Sequence, residues 1–146
     1  MVRIEFSLVV ERPAEEVFAY LTDPERLPEW QAGVLEARKE SSEPMGVGTR
    51  MQDVRTFLGR KIDSTVEVTA YDPPKVFGLK TVTGPVPFEI THTLEAANGG
   101  TRITFRGEGE PGGFFKLAEP IVARTAERRF KTDFETLKEL VEAGAE

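Results

Sequence analysis

The chain has one histidine, His92, and it is the side chain best suited to acid–base chemistry. Phe88, Ile90 and Leu94 alternate with polar residues around it, which predicts a strand with His92 on the buried face. A neutral imidazole there would hydrogen-bond a ligand or act as a general base. The alternative is a core-edge histidine bonded to the backbone. The sequence spacing identifies no carboxylate partner for His92, since Glu89 falls on the opposite face of the strand.

Ser64 is the polar member of a strand face that otherwise carries apolar residues such as Ile62 and Val66. A hydroxyl in a cavity wall could orient a ligand, but we favour the simpler interpretation that it bonds to its neighbours. No G-x-S-x-G motif surrounds this or any other serine. The sequence therefore does not support a hydrolase nucleophile.

Residues 47–57 form a predicted strand whose two faces are hard to tell apart. One alternating set includes Met51, Asp53 and Arg55, and the other includes Gln52 and Val54. If Asp53 and Arg55 point inward, they are paired polar groups in a cavity, a pattern typical of functional sites. Because neither set is clearly apolar, we favour an edge strand or a set of side chains that faces solvent.

Composition argues against several other kinds of site. With one histidine and no cysteine, only carboxylates remain as metal ligands, and no carboxylate cluster has ligand spacing. The Gly-Val-Gly at 46–48 lacks the strand-to-helix context of a nucleotide-binding loop. We therefore expect neither a metal nor a cofactor.

The net charge of −6 argues against nucleic acid as a partner, because a basic face supplies most of that affinity. A local basic cluster is predicted to be a solvent-exposed helix face, with an anion site as the alternative: Arg124, Arg128, Arg129 and Lys131. Residues 1–5 lack the apolar core of a secretory signal, and no apolar run is long enough to span a bilayer. We expect a cytoplasmic protein without stable membrane insertion, either a monomer or a homodimer.

These residues lie on a predicted succession of strand, two short helices, six strands and one long helix. Pro13 with two following glutamates predicts the first short helix, and Asp23 before Pro24 predicts the start of the second. Turn signals such as Asn98-Gly99-Gly100 separate the later strands. Their hairpin-length connections predict an antiparallel sheet with one wet face and one face covered by helix.

The closing helix, predicted over residues 117–141, carries an uneven apolar stripe. Bulky side chains at spacings of 4, 3 and 4 occupy its C-terminal half: Phe130, Phe134, Leu137 and Val141. Continued backwards, the same face carries only Ala126 and Val122. A helix lying across the sheet would therefore be pinned at one end and leave a gap for a small molecule at the other.

Aromatic residues are predicted at both ends of this gap. Tyr20 and Trp30 lie in the helical segment after the first strand, where large amphipathic rings suit a cavity lid and core packing equally well. Phe114 and Phe115 follow two glycines at 112–113. These phenylalanines could border an entrance that the glycine loop opens to admit a ligand, although a static hairpin end needs the same glycines.

Five motifs and the final helix carry a family resemblance: VVERPAEEVF at 9–18, TDPERLPEW at 22–30, GVGT at 46–49, YDPP at 71–74 and GGTR at 99–102. Over essentially its whole length the chain resembles the START-like helix-grip proteins, in particular the bacterial polyketide cyclase/dehydrase-like branch of the SRPBCC superfamily. The resemblance implies a single START-like domain over 1–146 with an α+β helix-grip fold. In that fold a seven-stranded curved antiparallel sheet wraps around a long C-terminal helix, with two short helices between strands 1 and 2. It also implies an apolar cavity for a lipid-like, polycyclic or aromatic ligand.

Three functions remain in competition. We favour binding or carriage of a hydrophobic small molecule in the cavity without chemistry. The alternative is a cyclase, aromatase or dehydratase with His92 as the acid–base group and Asp53, Arg55 or Tyr20 as helpers. A protein-interaction domain is the third. The residues predicted to line the cavity are Trp30, Ser64, Val66, Phe88, Ile90, His92, Phe115, Val122, Ala126 and Phe130.

Overall fold

A computed structural model describes residues 1–111 and 114–144, without the side chain of Phe114. Its strands are β1 (Val2–Val10), β2 (Val34–Lys39), β3 (Arg50–Phe57), β4 (Arg60–Asp72), β5 (Val76–Thr83), β6 (Phe88–Ala97) and β7 (Gly100–Gly109). Its α-helices are α1 (Ala14–Leu21), α2 (Leu27–Trp30), α3 (Phe114–Leu117) and α4 (Glu119–Glu142). A 3-10 turn, Pro24–Arg26, precedes α2.

The seven strands form one antiparallel sheet in the order β1-β7-β6-β5-β4-β3-β2. Consecutive strands from β2 to β7 are neighbours, so short connections suffice, and β1 closes the order beside β7. The α1–α2 segment connects the two edge strands of the sheet. This curved sheet with a long C-terminal helix and two short helices after β1 confirms the fold predicted from the sequence.

Local sequence explains the α1–α2 segment. Pro13 holds an extended conformation before α1, and Glu15 and Glu16 occupy the first turn, where the helix dipole favours acids. Asp23 then caps the 3-10 turn, because its carboxylate accepts a hydrogen bond from the backbone N–H of Glu25 at 3.0 Å. The beginnings of α1 and of the 3-10 turn are thus set by local sequence, and the segment ends with Trp30 at the end of α2.

The predicted C-terminal helix is divided in two. α3 ends at Leu117, and α4 begins at Glu119 with Pro120 in its first turn, where a missing N–H costs nothing. Leu117 is 89% exposed, so it does not continue the buried stripe. Val122 is the first buried residue of α4.

The C-terminal half of α4 is fixed to the sheet, as its bulky stripe predicts. Leu137 and Val141 are buried, and the ring of Phe134 lies 5.0 Å from Trp30, 5.6 Å from Phe105 and 5.7 Å from Phe6. Each fully buried side chain of this kind contributes about 1.5–3 kcal/mol. This end of the helix is therefore the anchor that sets the position of the rest.

Strand β3 departs from the interpretation we favoured. It begins at Arg50, pairs with β2 on one side and β4 on the other, and is therefore not an edge strand. Met51 and Asp53 are buried on its inner face, with Arg55 half-buried beside them. The expectation that Asp53 and Arg55 face solvent is wrong, because these two charges satisfy each other on the inner face.

Among the residues described, no helix combines the length and the apolar character needed to cross a membrane.

Candidate functional site

A cavity of about 180 Å³ lies between the inner face of the sheet and α4. All seven strands contribute to its walls, and the segment from Leu21 to Gln31 contributes from the side. Most of the lining side chains are aliphatic or aromatic. The gap predicted under the small-residue end of the helix is therefore present as a space in the folded chain.

The roof of the cavity is formed by α4. Val122, Ala126 and Phe130 line it at one-turn intervals, and Val122 is 3% exposed. The ring of Phe130 lies 4.8 Å from that of Phe105 and limits the cavity toward the anchored end. Ala126 carries only a methyl group, so the space between helix and sheet stays open at this position. Further along α4, the ring of Phe134 fills the corresponding space.

His92 lies at the centre of the sheet and in the cavity wall. Register pairs it with Phe77 on β5 and Phe105 on β7, and it is 5% exposed. Its Nδ1 is 3.0 Å from the carbonyl oxygen of Phe77. A carbonyl only accepts, so Nδ1 carries the proton and Nε2 is left as an acceptor in the neutral ring.

The surroundings of His92 keep it neutral. Its ring lies 5.4 Å from Phe105, 5.7 Å from Phe134 and 5.8 Å from Phe77. Burial lowers the pKa of His92 to about 4, against the opposing effect of the hydrogen bond to Phe77. The structure shows the bond to backbone and places His92 in the cavity wall. A role in binding a ligand or in acid–base chemistry stays a prediction.

Asp53 and Arg55 form the charged part of the wall. The guanidinium donates from Nε to Oδ1 at 2.8 Å and from Nη2 to Oδ2 at 2.6 Å. Both residues line the cavity, and the Asp53 side chain is 10% exposed. Such a two-point bond holds Arg55 in one geometry and places one cation beside one anion at an otherwise apolar surface.

A second buried carboxylate ties α4 to the segment that follows α2. Asp133 accepts a hydrogen bond from the backbone N–H of Ala32 at 3.3 Å and is 7% exposed. Burial raises the pKa of Asp133, while that hydrogen bond and the charges of Arg55 and Arg129 act in the opposite direction. The bond fixes the chain just after Trp30 against the helix.

Two buried polar atoms near the cavity lack partners within the described structure. They are Nε1 of Trp30 and Oε1 of Gln31. Both residues line the cavity, and both are buried, at 2% and 8% exposure. An unpaired buried donor and acceptor cost free energy, so this end of the cavity is polar as well as apolar.

Ser64 lies in the cavity wall, paired in register with Asp53 of β3. Gly84 approaches it so closely that a Cβ there would come within 2.5 Å of the Ser64 hydroxyl oxygen. This close approach and the positive φ of Gly84, 154°, both favour glycine at that position.

Nine of the ten residues predicted to line the cavity do lie around it: Trp30, Ser64, Val66, Phe88, Ile90, His92, Val122, Ala126 and Phe130. Phe115 does not, although it is buried, because its ring packs 5.9 Å from that of Phe57, which itself lines the cavity. That these nine residues contact a ligand stays a prediction.

Tyr20 is also outside the cavity lining. Its hydroxyl donates to Glu29 at 3.0 Å, and Arg26 lies over its ring. Burial, then the bond to Glu29, raises the pKa of Tyr20. The ring therefore serves packing rather than the lid suggested for it. The entrance predicted at Phe114 and the glycines at 112–113 lies outside the described residues.

Several lining residues escaped the sequence reasoning. Met51, Phe77 and Gln31 all border the cavity. Gln31 carried no signal, since a lone glutamine after a short helix is usually exposed. Phe77 could have been found from its register opposite His92, had the pairing of β5 with β6 been fixed in advance.

The described residues contain no group of three or more histidine, cysteine, aspartate or glutamate side chains that could hold a metal. What the site offers chemically is a shaped apolar space with a neutral imidazole, the hydroxyls of Ser64 and Thr22, and a bonded ion pair. The unpaired indole N–H of Trp30 and amide oxygen of Gln31 add to these polar groups.

Comparison with known proteins agrees with this geometry. Residues 1–142 match the family model described as polyketide cyclase / dehydrase and lipid transport, and the chain belongs to that family. No curated protein matches it.

Solved structures share the fold at low sequence identity. The protein TTHA0849 from Thermus thermophilus superposes with a TM-score of 0.85 at 20% identity, over 99% of both chains. A START superfamily protein from Mycobacterium smegmatis gives 0.82 at 14% identity, over 97% of both chains. The di-domain ARO/CYC StfQ from the steffimycin biosynthetic pathway gives 0.80 at 16% identity, over 99% of this chain and 51% of that one. At these identities the similarity establishes the fold alone.

Proposed function

We propose that this protein binds and carries a hydrophobic small molecule in the cavity under α4. The observation that carries the proposal is the space of about 180 Å³ beneath Val122 and Ala126, which none of the described aromatic side chains fills. Protein interiors are normally close-packed and a void of this size costs stability, so its presence supports a role in binding a ligand. The family description includes lipid transport, which supports the same interpretation.

The size of the cavity limits the ligand. A dry apolar cavity of about 150 Å³ accommodates benzene, whereas drug-sized pockets begin at about 300 Å³. At about 180 Å³, this cavity suits a one- or two-ring aromatic compound or a short aliphatic chain. A larger polycycle or a long lipid would require the walls to move apart.

The polar groups of the wall limit the ligand further. Nε2 of His92 is available as an acceptor, and the Ser64 hydroxyl can donate or accept. The Asp53–Arg55 pair makes two hydrogen bonds within itself and offsets its own charge. The preferred ligand is therefore largely apolar, with one hydroxyl or similar donor to meet the imidazole.

Native mass spectrometry after gentle purification tests the proposal, together with thermal shift against hydrophobic compounds graded by size. We expect a bound apolar molecule or a rise in melting temperature that peaks for one- and two-ring compounds. A melting temperature that responds to none of them would contradict carriage in this cavity.

A cyclase, aromatase or dehydratase acting in the same cavity is the second candidate, favoured by the position of His92 in the wall. The depressed pKa argues for a limited role, because a base whose conjugate acid has a pKa of about 4 accepts protons poorly at neutral pH. In a reaction, Nε2 would orient a substrate hydroxyl more readily than remove its proton. Replacing His92 by alanine should abolish turnover of a true substrate and preserve the fold, and unchanged turnover would remove its catalytic role.

A further inference from the structure

We propose that this protein docks reversibly on an anionic lipid surface through one exposed face at the start of α4. This face, the α4 outer face, consists of Lys116, Leu117, Ile121, Arg124 and Arg128. Leu117 is 89% exposed and Ile121 is 59% exposed. The inference goes beyond ligand binding in the cavity and does not depend on which molecule the cavity holds.

The two aliphatic side chains are presented outward by the local backbone. Leu117 ends α3, and the backbone N–H groups of Ile121 and Val122 both donate to the carbonyl of Ala118, at 2.9 and 2.8 Å. This turn fixes the junction of the two helices. Val122 is buried and lines the cavity, while its neighbour Ile121 points away from it. Ile121 is therefore a surface residue and not a partly exposed member of the core.

The cations on this face have no partner within the described part of the chain. Lys116, Arg124 and Arg128 form no ion pair or side-chain hydrogen bond there. Their basic neighbours differ, since Arg129 donates to the carbonyl of Thr56 at 2.7 Å and thus has a structural role. Of the four residues in the basic face predicted from the sequence, Arg129 and Lys131 have partners, and only Arg124 and Arg128 have none among the described residues.

The nearby acids have cationic partners of their own. Glu119 lies 3.4 Å from the N-terminal ammonium of Met1, which it shares with Glu110 at 3.8 Å, and Glu127 lies 3.8 Å from Lys131. The α4 outer face is consequently positive on a chain whose net charge is −6. This local reversal of sign would orient the molecule at a negative surface.

An anionic bilayer fits both features at once. Aliphatic side chains insert at the headgroup boundary while arginine and lysine pair with lipid phosphates. Nucleic acid would meet the cations but leave Leu117 and Ile121 without an apolar partner. A symmetric pair of two copies would bring this positive face against the same positive face of the second copy.

The test is co-sedimentation of the intact protein with phosphatidylcholine vesicles, with and without phosphatidylserine, at low and high salt. Binding is expected on the phosphatidylserine vesicles and is expected to weaken with salt. Leu117→Ser with Ile121→Ser should reduce it about tenfold or more per side chain. Arg124→Gln with Arg128→Gln should reduce it about 25-fold, since each cation near an anionic leaflet is worth about fivefold.

Matched controls use exposed residues elsewhere. Leu35→Ser, on β2, removes an aliphatic side chain that is 57% exposed. Arg38→Gln with Arg106→Gln removes two charges whose side chains are each 64% exposed. These variants should bind vesicles like the parent chain.

Three results would overturn the proposal. One is no vesicle binding at either lipid composition. Another is binding that the control variants lose as readily as the α4 variants. The third is a dimer in light scattering, or binding to heparin alone, that depends on the α4 outer face without any vesicle binding. Ligand occupancy by native mass spectrometry reports on the cavity separately, so failure here leaves the proposed function standing, and the reverse also holds.

Discussion

The imidazole of His92 and the backbone of Phe77 are joined by a hydrogen bond of 3.0 Å between Nδ1 and the carbonyl oxygen, with the two rings stacked 5.8 Å apart. The bond links neighbouring strands β5 and β6 and fixes which nitrogen carries the proton. The other nitrogen is left for whatever occupies the cavity. A neutral, oriented acceptor in an apolar wall suits recognition of a ligand hydroxyl better than proton transfer.

His92 should remain neutral across the physiological pH range. Its folded-state pKa of about 4 lies below the ordinary value of 6.5, so protonation favours the unfolded chain. Stability is then fully present above the ordinary pKa and is lost as pH falls toward 4, by about 3 kcal/mol at most. Because there is one histidine, its NMR titration can be read directly, and a midpoint near 6.5 would contradict this account.

Replacing Asp133 by asparagine should maintain or increase stability at neutral pH. The amide oxygen can still accept from the N–H of Ala32, and the cost of burying a charge is removed. The raised pKa of Asp133 means that its protonated form favours the folded state. The gain should therefore be largest above the folded pKa and disappear below the ordinary carboxyl pKa. Denaturant unfolding at neutral pH and at a pH below the ordinary carboxyl pKa measures this gain in unfolding free energy. A clear loss of stability at neutral pH would show that the ionised form stabilises the fold.

The Asp53–Arg55 pair should behave as a coupled unit. Arg55→Met leaves a carboxylate that is 10% exposed without its partner, and we expect a loss of about 1–3 kcal/mol, since Arg55 keeps some access to solvent. Asp53→Leu combined with Arg55→Met should cost less than the sum of the single changes. A double-mutant cycle by chemical unfolding gives the coupling. Strict additivity would mean that the pair contributes nothing as a pair.

Leu137→Ala should lower stability without changing ligand binding, because the anchored end of α4 and the cavity have separate roles. Leu137 is fully buried and does not line the cavity. Its truncation should cost about 2–5 kcal/mol of unfolding free energy and leave ligand affinity unchanged in the folded protein. Leu35→Ala, on an exposed side chain, serves as the control and should have little effect. A loss of affinity with unchanged stability would show that the two halves of the helix are not independent.

The sequence was sufficient for the fold, because period-two alternation, turn residues and the closing stripe all agreed. It was insufficient where a residue's direction depends on its neighbours in space. Asp53 and Arg55 looked like exposed charges, since nothing local indicates that each satisfies the other on an inner face.

The division of the closing helix had a signal that could have been used. Pro120 is tolerated in the first turn of a helix and disrupts its interior, so it predicts a start near Glu119 rather than at Leu117. That start turns Leu117 and Ile121 outward and Val122 toward the cavity. The size of the cavity could not be derived in the same way, because it depends on how close the anchor brings α4 to the sheet.

The space beneath Ala126 is the proposed position of the ligand. Ala126→Phe places a ring in that space, whereas Ala19→Phe makes the same change on an exposed position of α1. Filling a void is compatible with folding, so the melting temperature of Ala126→Phe should be unchanged or higher.

The decisive measurement is a fluorescence titration of the parent chain and both variants with 2-naphthol, a two-ring aromatic with one hydroxyl. We predict saturable binding to the parent chain and to Ala19→Phe, and loss of binding in a fully folded Ala126→Phe. Equal binding by all three proteins, or none by the parent chain, would show that the space beneath Ala126 does not receive this class of ligand.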